Sequence, residues 1–205
     1  MVYTSDKIKQ RNPYKKLKPR IYFWLGRNVT EKRLKHIVGV SETAKKYAKK
    51  LKLNPNKAEI SGLLHDCAKE FTNRQLLSLA RKFKIKLDNV DLINPHVLHA
   101  RVGEYIARRE FKVKDKDILA GIRCHTLAEP NMSKLAMTIY LADSTEPSRD
   151  KKKSKPLKKI FKEEGLEKAV LAAVNMKLLD VIERGKIVHP YTISARNWLI
   201  QKIEK

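Results

Sequence analysis

A histidine and an aspartate stand side by side at His65-Asp66, in the string GLLHDCAKE. Neighbouring side chains on a helix point about 100° apart, so the two can meet at one centre only by approaching it differently. A carboxylate allows this, because each of its oxygens can bind a separate metal ion: His65 can serve one ion while Asp66 bridges two. Four more groups able to ligate lie on the apolar faces of their own segments. His36 precedes Val40 by one helical turn, His99 is followed by Val102 and Ile106, His125 completes the row Ile118, Ile122, and Asp143 completes the row Met132, Ala136, Ile139. A single imidazole in such a place is ordinarily a core histidine satisfied by a neighbour. Several imidazoles and two carboxylates together are costly, since each unsatisfied polar group costs about 1–3 kcal/mol and a buried charge more. A shared metal centre satisfies them at once.

The elements that must position these groups read as helices throughout. Ile37, Val40, Ala44, Tyr47 and Leu51 step by three and four from Thr30 until Asn54-Pro55 stops the pattern. A second helix carries Ile60, Leu63, Leu64 and Cys67, and a third runs from Asn73 through Leu76, Leu77, Ala80 and Phe83. A loop is expected over Asp88–Pro95, then a fourth helix from about His96, a fifth marked by Ile118 and Ile122, and a sixth by Met132, Ala136 and Ile139. The charged, proline-bounded stretch Lys151–Pro156 reads as a connection between subdomains. Two helices follow, Leu166–Arg184 with Gly185 as its cap, and Thr192–Ile203. No alternating strand pattern competes, so the fold class is all-α. Three regions result: a basic N-terminal arm over 1–29, a core over 30–150, and C-terminal helices over 151–205 that pack on the core.

The chain has 205 residues, a 42% apolar share, and 46 Lys and Arg against 22 Asp and Glu, for a net charge of +24. That length suits one domain or two with a buried core. No apolar run approaches the roughly 18 residues of a membrane-spanning helix, and the N-terminus has no apolar stretch behind its basic residues, so a cytoplasmic protein without a membrane partner is expected. Cys67 and Cys124 are too few for a disulfide framework and are expected as reduced thiols. The positive charge is spread along the chain, +7 over residues 1–29, +9 over 30–150 and +8 over 151–205, so both ends are basic while the middle is nearly balanced for its length, and the total suits a polyanionic partner. In the arm, Tyr3, Tyr14, Tyr22, Phe23 and Trp24 accompany the basic residues, and Pro13 and Pro19 are expected to interrupt any helix. These aromatics could stack on nucleic-acid bases, but the apolar cluster Ile21–Leu25 favours docking on the body of the protein.

The order His36, His65-Asp66, His99, His125, Asp143 resembles that of the metal-dependent HD-domain phosphohydrolases. The strings RLKHIVGVSETAKKYAKKL, AEISGLLHDCAKE, VLHARVGEYIA, AGIRCHT, MTIYLADSTEPSRD and HPYTISARNWLI look like those of the YqeK family, from about Thr30 to Trp198. The resemblance implies an HD-domain helical bundle with a C-terminal helical extension, and a symmetrical bis(5'-nucleosyl)-tetraphosphatase that cleaves diadenosine tetraphosphate to two ADP at a di-iron site. Carried over residue by residue, it implies a first metal held by His36, His65, Asp66 and Asp143, and a second held by His99, His125 and the other oxygen of Asp66. Iron is the metal the family implies, and imidazole and carboxylate ligands suit manganese as well.

Two such ions sharing a water would lower its pKa and supply a metal-bridged hydroxide to attack phosphorus. Catalysis is thus assigned to Asp66 and Lys69. Lys69 lies four residues after His65, on the same face of a continuous helix, and would grip a phosphate oxygen. Arg149 could clamp another phosphate and Thr126 donate to one, while His189 could line a nucleobase pocket. His96 is read as a helix-start or outer group. A nucleic-acid-binding protein with a metal-stabilised helical core, and an HD phosphohydrolase acting on another nucleotide, remain as alternatives. A nucleic-acid partner for the basic arm and a homodimer both stay open.

Overall fold

The computed structural model describes residues 14–204; Tyr3, Pro13 and the rest of the first thirteen residues lie outside it. Among the described residues eleven α-helices follow one another: α1 (Leu17–Asn28), α2 (Glu31–Lys50), α3 (Pro55–Leu64), α4 (Asn73–Lys82), α5 (Asn89–Ile93), α6 (His99–Glu110), α7 (Lys116–Cys124), α8 (Lys134–Thr145), α9 (Lys151–Glu163), α10 (Leu166–Glu183) and α11 (Pro190–Ile203). A 3-10 turn over Pro95–Leu98 precedes α6. No strand occurs among the described residues, and the fold is all-α.

Local chemistry sets the boundaries. Thr30 caps α2 by accepting from the Arg33 N–H, and Asn54 caps α3 ahead of Pro55. Reciprocal capping boxes pair Thr72 with Gln75 at α4 and Asp88 with Asp91 at α5. The second of these explains why the stretch expected as a loop over Asp88–Pro95 holds a short helix. Ser133 caps α8, so Met132 falls just ahead of it.

Two prolines behave differently from the sequence-based expectation. Pro19 is the third residue of α1, where backbone N–H groups lack an intrahelical acceptor in any case, so the helix forms around it. Lys151–Pro156 is not a connection but the first half of α9. Asp150 caps it by accepting from the Lys152 N–H at 2.8 Å. Pro156 forfeits one bond to the Lys152 carbonyl, and the helix continues because Leu157 and Phe161 anchor it in the core.

The centre of the molecule is α8, buried from Leu135 to Thr145 and packed against α2, α3, α7, α9 and α10. Two apolar clusters meet on it. One joins α1 to α4, α6 and α7, and the other joins the end of α7 to α9, α10 and α11. Helices α2 and α3 approach closely at Gly62, where an added Cβ would lie 2.6 Å from the Cα of Ser41. That contact draws the histidine of α2 and the residues after α3 to one place.

Helix α1 docks on the body. Ile21 and Leu25 are fully buried, Trp24 meets the Phe111 ring edge-on at 6.0 Å, Lys18 pairs with Glu59 at 2.7 Å, and Arg20 donates to the Glu110 carbonyl. Two large aliphatic side chains buried at about 1.5–3 kcal/mol each suggest that deleting residues 1–29 lowers the melting temperature by about 10 °C while leaving turnover largely intact. Scanning calorimetry of the truncated protein checks this. An unchanged melting temperature with an RNA affinity that loses its salt dependence would assign the segment to nucleic acid instead.

Candidate metal centre

The six groups singled out in the HD pattern come from five places in the fold. His36 is in the interior of α2, His65 and Asp66 follow α3, His99 opens α6, His125 caps the end of α7, and Asp143 lies in α8. All six are buried. The α3 helix ends at Leu64, and His65 to Glu70 run in successive turns, with Cys67 N–H donating to the Leu64 carbonyl and Lys69 N–H to that of Asp66. The continuous helical face expected for His65 and Lys69 is therefore absent. Lys69 nevertheless reaches the cluster through these turns, its Nζ 3.4 Å from His99 Nε2.

The two oxygens of Asp66 face different neighbours. Oδ2 lies 3.7 Å from His36 Nε2 and 3.6 Å from His65 Nε2, and Asp143 Oδ1 closes this side at 3.3 Å from His36 Nε2 and 3.9 Å from His65 Nε2. Oδ1 lies 3.3 Å from His99 Nε2 and 3.1 Å from His125 Nε2. Two groups of converging atoms thus share one carboxylate.

The tautomers follow from the opposite edge of each ring. Nδ1 of His65, His99 and His125 donates to the carbonyls of Gly62, His96 and Ile122 at 2.7, 2.6 and 2.8 Å. A carbonyl can only accept, so Nδ1 carries the proton in each. His36 Nδ1 meets Glu146 Oε1 at 3.0 Å, and Glu146 Oε2 accepts from the Ser148 N–H. Glu146 fits there because Gly39 has no Cβ; one would lie 2.7 Å from Glu146 Oε2. Burial pushes His65 down to about 3 and His99 down to about 4, which keeps both neutral. Nε2 of His65 and of His99 consequently presents a lone pair to the centre, 3.3 Å from His36 Nε2 for His65 and 3.1 Å from His125 Nε2 for His99. Inward lone pairs beside carboxylates are what a cation would satisfy, and rings fixed by Nδ1–H bonds are the usual outer support of metal-binding histidines. The residues present fit metal ions.

Cations surround the centre. Arg33 Nη1 donates to Asp66 Oδ2 at 2.8 Å, Arg149 donates to Asp143 through its carboxylate and its carbonyl, and Lys177 Nζ lies 3.2 Å from Asp143 Oδ2. Burial opposes the charge of Asp143, but Lys177 and Arg149 hold its carboxyl well below the usual range. Burial likewise opposes the charge of Asp66, whose carboxyl still lies well below the usual range, with the Arg33 guanidinium on its Oδ2. Thr126 Oγ1 sits 2.9 Å from both His99 and His125 Nε2. Arg33, Glu146 and Lys177 were not among the residues expected from sequence. Arg33 was legible, since it precedes His36 by three residues on one helical face. Lys177 interrupts the apolar run Val170–Leu179, whereas nothing local marks Glu146.

His189 stands apart from this centre. It is buried with Nε2 3.3 Å from Asp88 Oδ2 and 3.4 Å from Asp91 Oδ1, and Asp91 also bonds Arg101. Its Nδ1 accepts the Tyr191 N–H at the start of α11, so Nε2 carries the proton. That proton and the Arg101 guanidinium already compensate the two carboxylates, and the cluster has the chemistry of a clamp between α11 and the α5 region.

The fold and the centre define a class, and comparison with known proteins places the chain within it. The HD domain family matches residues 33–148. The symmetrical bis(5'-nucleosyl)-tetraphosphatase of Bacillus subtilis (strain 168) is 34% identical over 172 residues, 84% of this chain and 91% of that protein. The protein of the same name from Halalkalibacterium halodurans is 31% identical over 173 residues, with the same coverage. The crystal structure of a predicted HD superfamily hydrolase involved in NAD metabolism from Clostridium acetobutylicum superposes with a TM-score of 0.87 at 36% identity, covering 90% of this chain and 97% of that one. The chain belongs to the HD-domain family and, within it, to the YqeK family of symmetrical bis(5'-nucleosyl)-tetraphosphatases. It is an HD-domain phosphohydrolase, and no helix among its described residues is long and apolar enough to cross a membrane.

Proposed function

We propose that this protein hydrolyses diadenosine tetraphosphate to two ADP, with two metal ions held by the His/Asp centre. The observation that carries the reading is the division of Asp66, whose Oδ2 faces His36 and His65 while Oδ1 faces His99 and His125. One ion would be held by His36, His65, Asp66 and Asp143, and the other by His99, His125 and Asp66. Iron or manganese fits such nitrogen and oxygen ligands. Bound there, two ions would supply an activated water near neutral pH and a positive field for the phosphate oxygens. The substrate assignment is supported by the names of the relatives at 34 and 31% identity.

The chain's own cations then bind the polyphosphate. Lys69, beside His99, is placed to hold an oxygen of a central phosphate, and burial lowers its pKa without a direct carboxylate partner to tie it up. Arg33 and Arg149 lie on the ligand carboxylates, from which each can turn its guanidinium to a phosphate in a two-pronged grip. Thr126 supplies a hydroxyl donor at the same edge. Water oxygen bonds to a central phosphorus and gives up a proton to solvent, the P–O bond to the bridging oxygen breaks, and that oxygen leaves on the second ADP as an anion that these cations stabilise.

Incubating the protein with diadenosine tetraphosphate and iron or manganese, with products resolved by chromatography, tests the proposal. ADP is expected as the sole initial product. Equimolar ATP and AMP would show an off-centre cut and overturn it.

A further inference from the structure

Helix α10 lies beyond the residues matched by the HD domain family, yet it sends one side chain to the centre. Lys177 Nζ is 3.2 Å from Asp143 Oδ2 and 3.3 Å from the carbonyl of His125, and it sits 4.1 Å from the centroid of the fully buried Tyr140 ring. The other oxygen of Asp143, Oδ1, is the one directed at His36 and His65.

We propose that Lys177 is a positioning residue of the metal centre: by holding Asp143 Oδ2 it turns Oδ1 toward His36 and His65, and by holding the His125 carbonyl it fixes the turn that carries His125 and Thr126. One ammonium thereby joins the two halves of the site. The Tyr140 face fixes the ammonium from behind, an arrangement that favours a cation over a neutral side chain. The terminal torsion of an aspartate is soft and nearly two-fold, so Asp143 needs an outside partner to keep one oxygen inward. Arg149 already reaches Oδ1; without Lys177 the carboxylate is free to present both oxygens to that guanidinium and withdraw from the histidines. The C-terminal helices are on this view part of the site, not only a cover for the core.

This inference rests on the proposed role of Asp143 as a ligand, and metal binding measured without substrate separates the two. Full-length protein stripped with a chelator is titrated with Mn2+, and bound metal per chain is determined by equilibrium dialysis and elemental analysis for wild type, K177M, K177R and D143A. K177M is expected to bind one of its two equivalents about 10–100-fold more weakly, the usual consequence of removing an outer partner of a ligand, with K177R recovering most of the loss. Circular dichroism melting confirms that each variant is folded, and K177Q serves the same comparison should K177M not fold. Wild-type binding by the folded Lys177 variants, with D143A losing one equivalent, would overturn the role of Lys177 alone. Two tight equivalents in D143A would overturn the ligand assignment and this inference with it.

Discussion

Replacing Asp66 by alanine is expected to strip the protein of most of both metal ions and to lower turnover by about 10³-fold or more. The reason is geometric. Every other group of the centre faces one side, whereas Asp66 is 3.6 and 3.7 Å from one imidazole pair through Oδ2 and 3.1 and 3.3 Å from the other through Oδ1. Removing it takes a negative charge from both positions at once. A loss of this size corresponds to about 4 kcal/mol of barrier, within what removal of a single electrostatic contact to the transition state already costs in other enzymes. His65→Ala is the informative partner, because His65 Nε2 converges with His36 and Asp143 and should weaken one position more than the other. Elemental analysis of the purified variants reads the difference. Two ions per chain in Asp66→Ala, as in wild type, would sink the bridging assignment.

The helical fold was legible because its signals are local: apolar steps of three and four, a start at Thr30 and a stop at Asn54-Pro55, whereas the cap at Asp88 went unread and its helix was taken for a loop. The same periodicity pointed His36, His99, His125 and Asp143 inward. Misreadings arose where a rule was applied without its position. Pro19 breaks a helix in its interior but not in its first turn, and Asp150 makes a helix start of a lysine run that composition alone marks as a connection. Lys69 illustrates a different limit, since the i,i+4 argument assumed a helix that ends at Leu64, and it is the turns after it that bring Lys69 to His99. Glu146 and Lys177 were out of reach altogether. Their contacts to His36 and Asp143 span 110 and 34 residues and depend on how α8 is packed between α2 and α10.

Metal-free protein is expected to lose stability steeply as the pH falls from about 6.5 to 4.5. His65 and His99 are fully buried and have folded-state pKa values of about 3 and about 4, depressed chiefly by that burial. In the unfolded chain both titrate near 6.5. Between these limits the unfolded state binds protons that the native state refuses, so the equilibrium shifts toward unfolding as acid is added. Two groups over two pH units give at most about 5 kcal/mol, comparable with the whole stability of many domains. Asp66 and Asp143 act in the same direction at lower pH. Their carboxyls are held well below the usual range, so their contribution is present above about pH 4 and is lost as acid protonates them. Metal binds the neutral imidazoles, and at a hundred times its dissociation constant it should restore about 2.7 kcal/mol. Urea unfolding with chelator or with Mn2+ across pH 4.5–7.5 measures both effects, and His99→Asn should remove roughly half of the slope assigned to the histidines. A flat profile in chelator would mean that the imidazoles take up protons in the folded state, and the convergence of lone pairs that argues for metal at this centre would lose its basis.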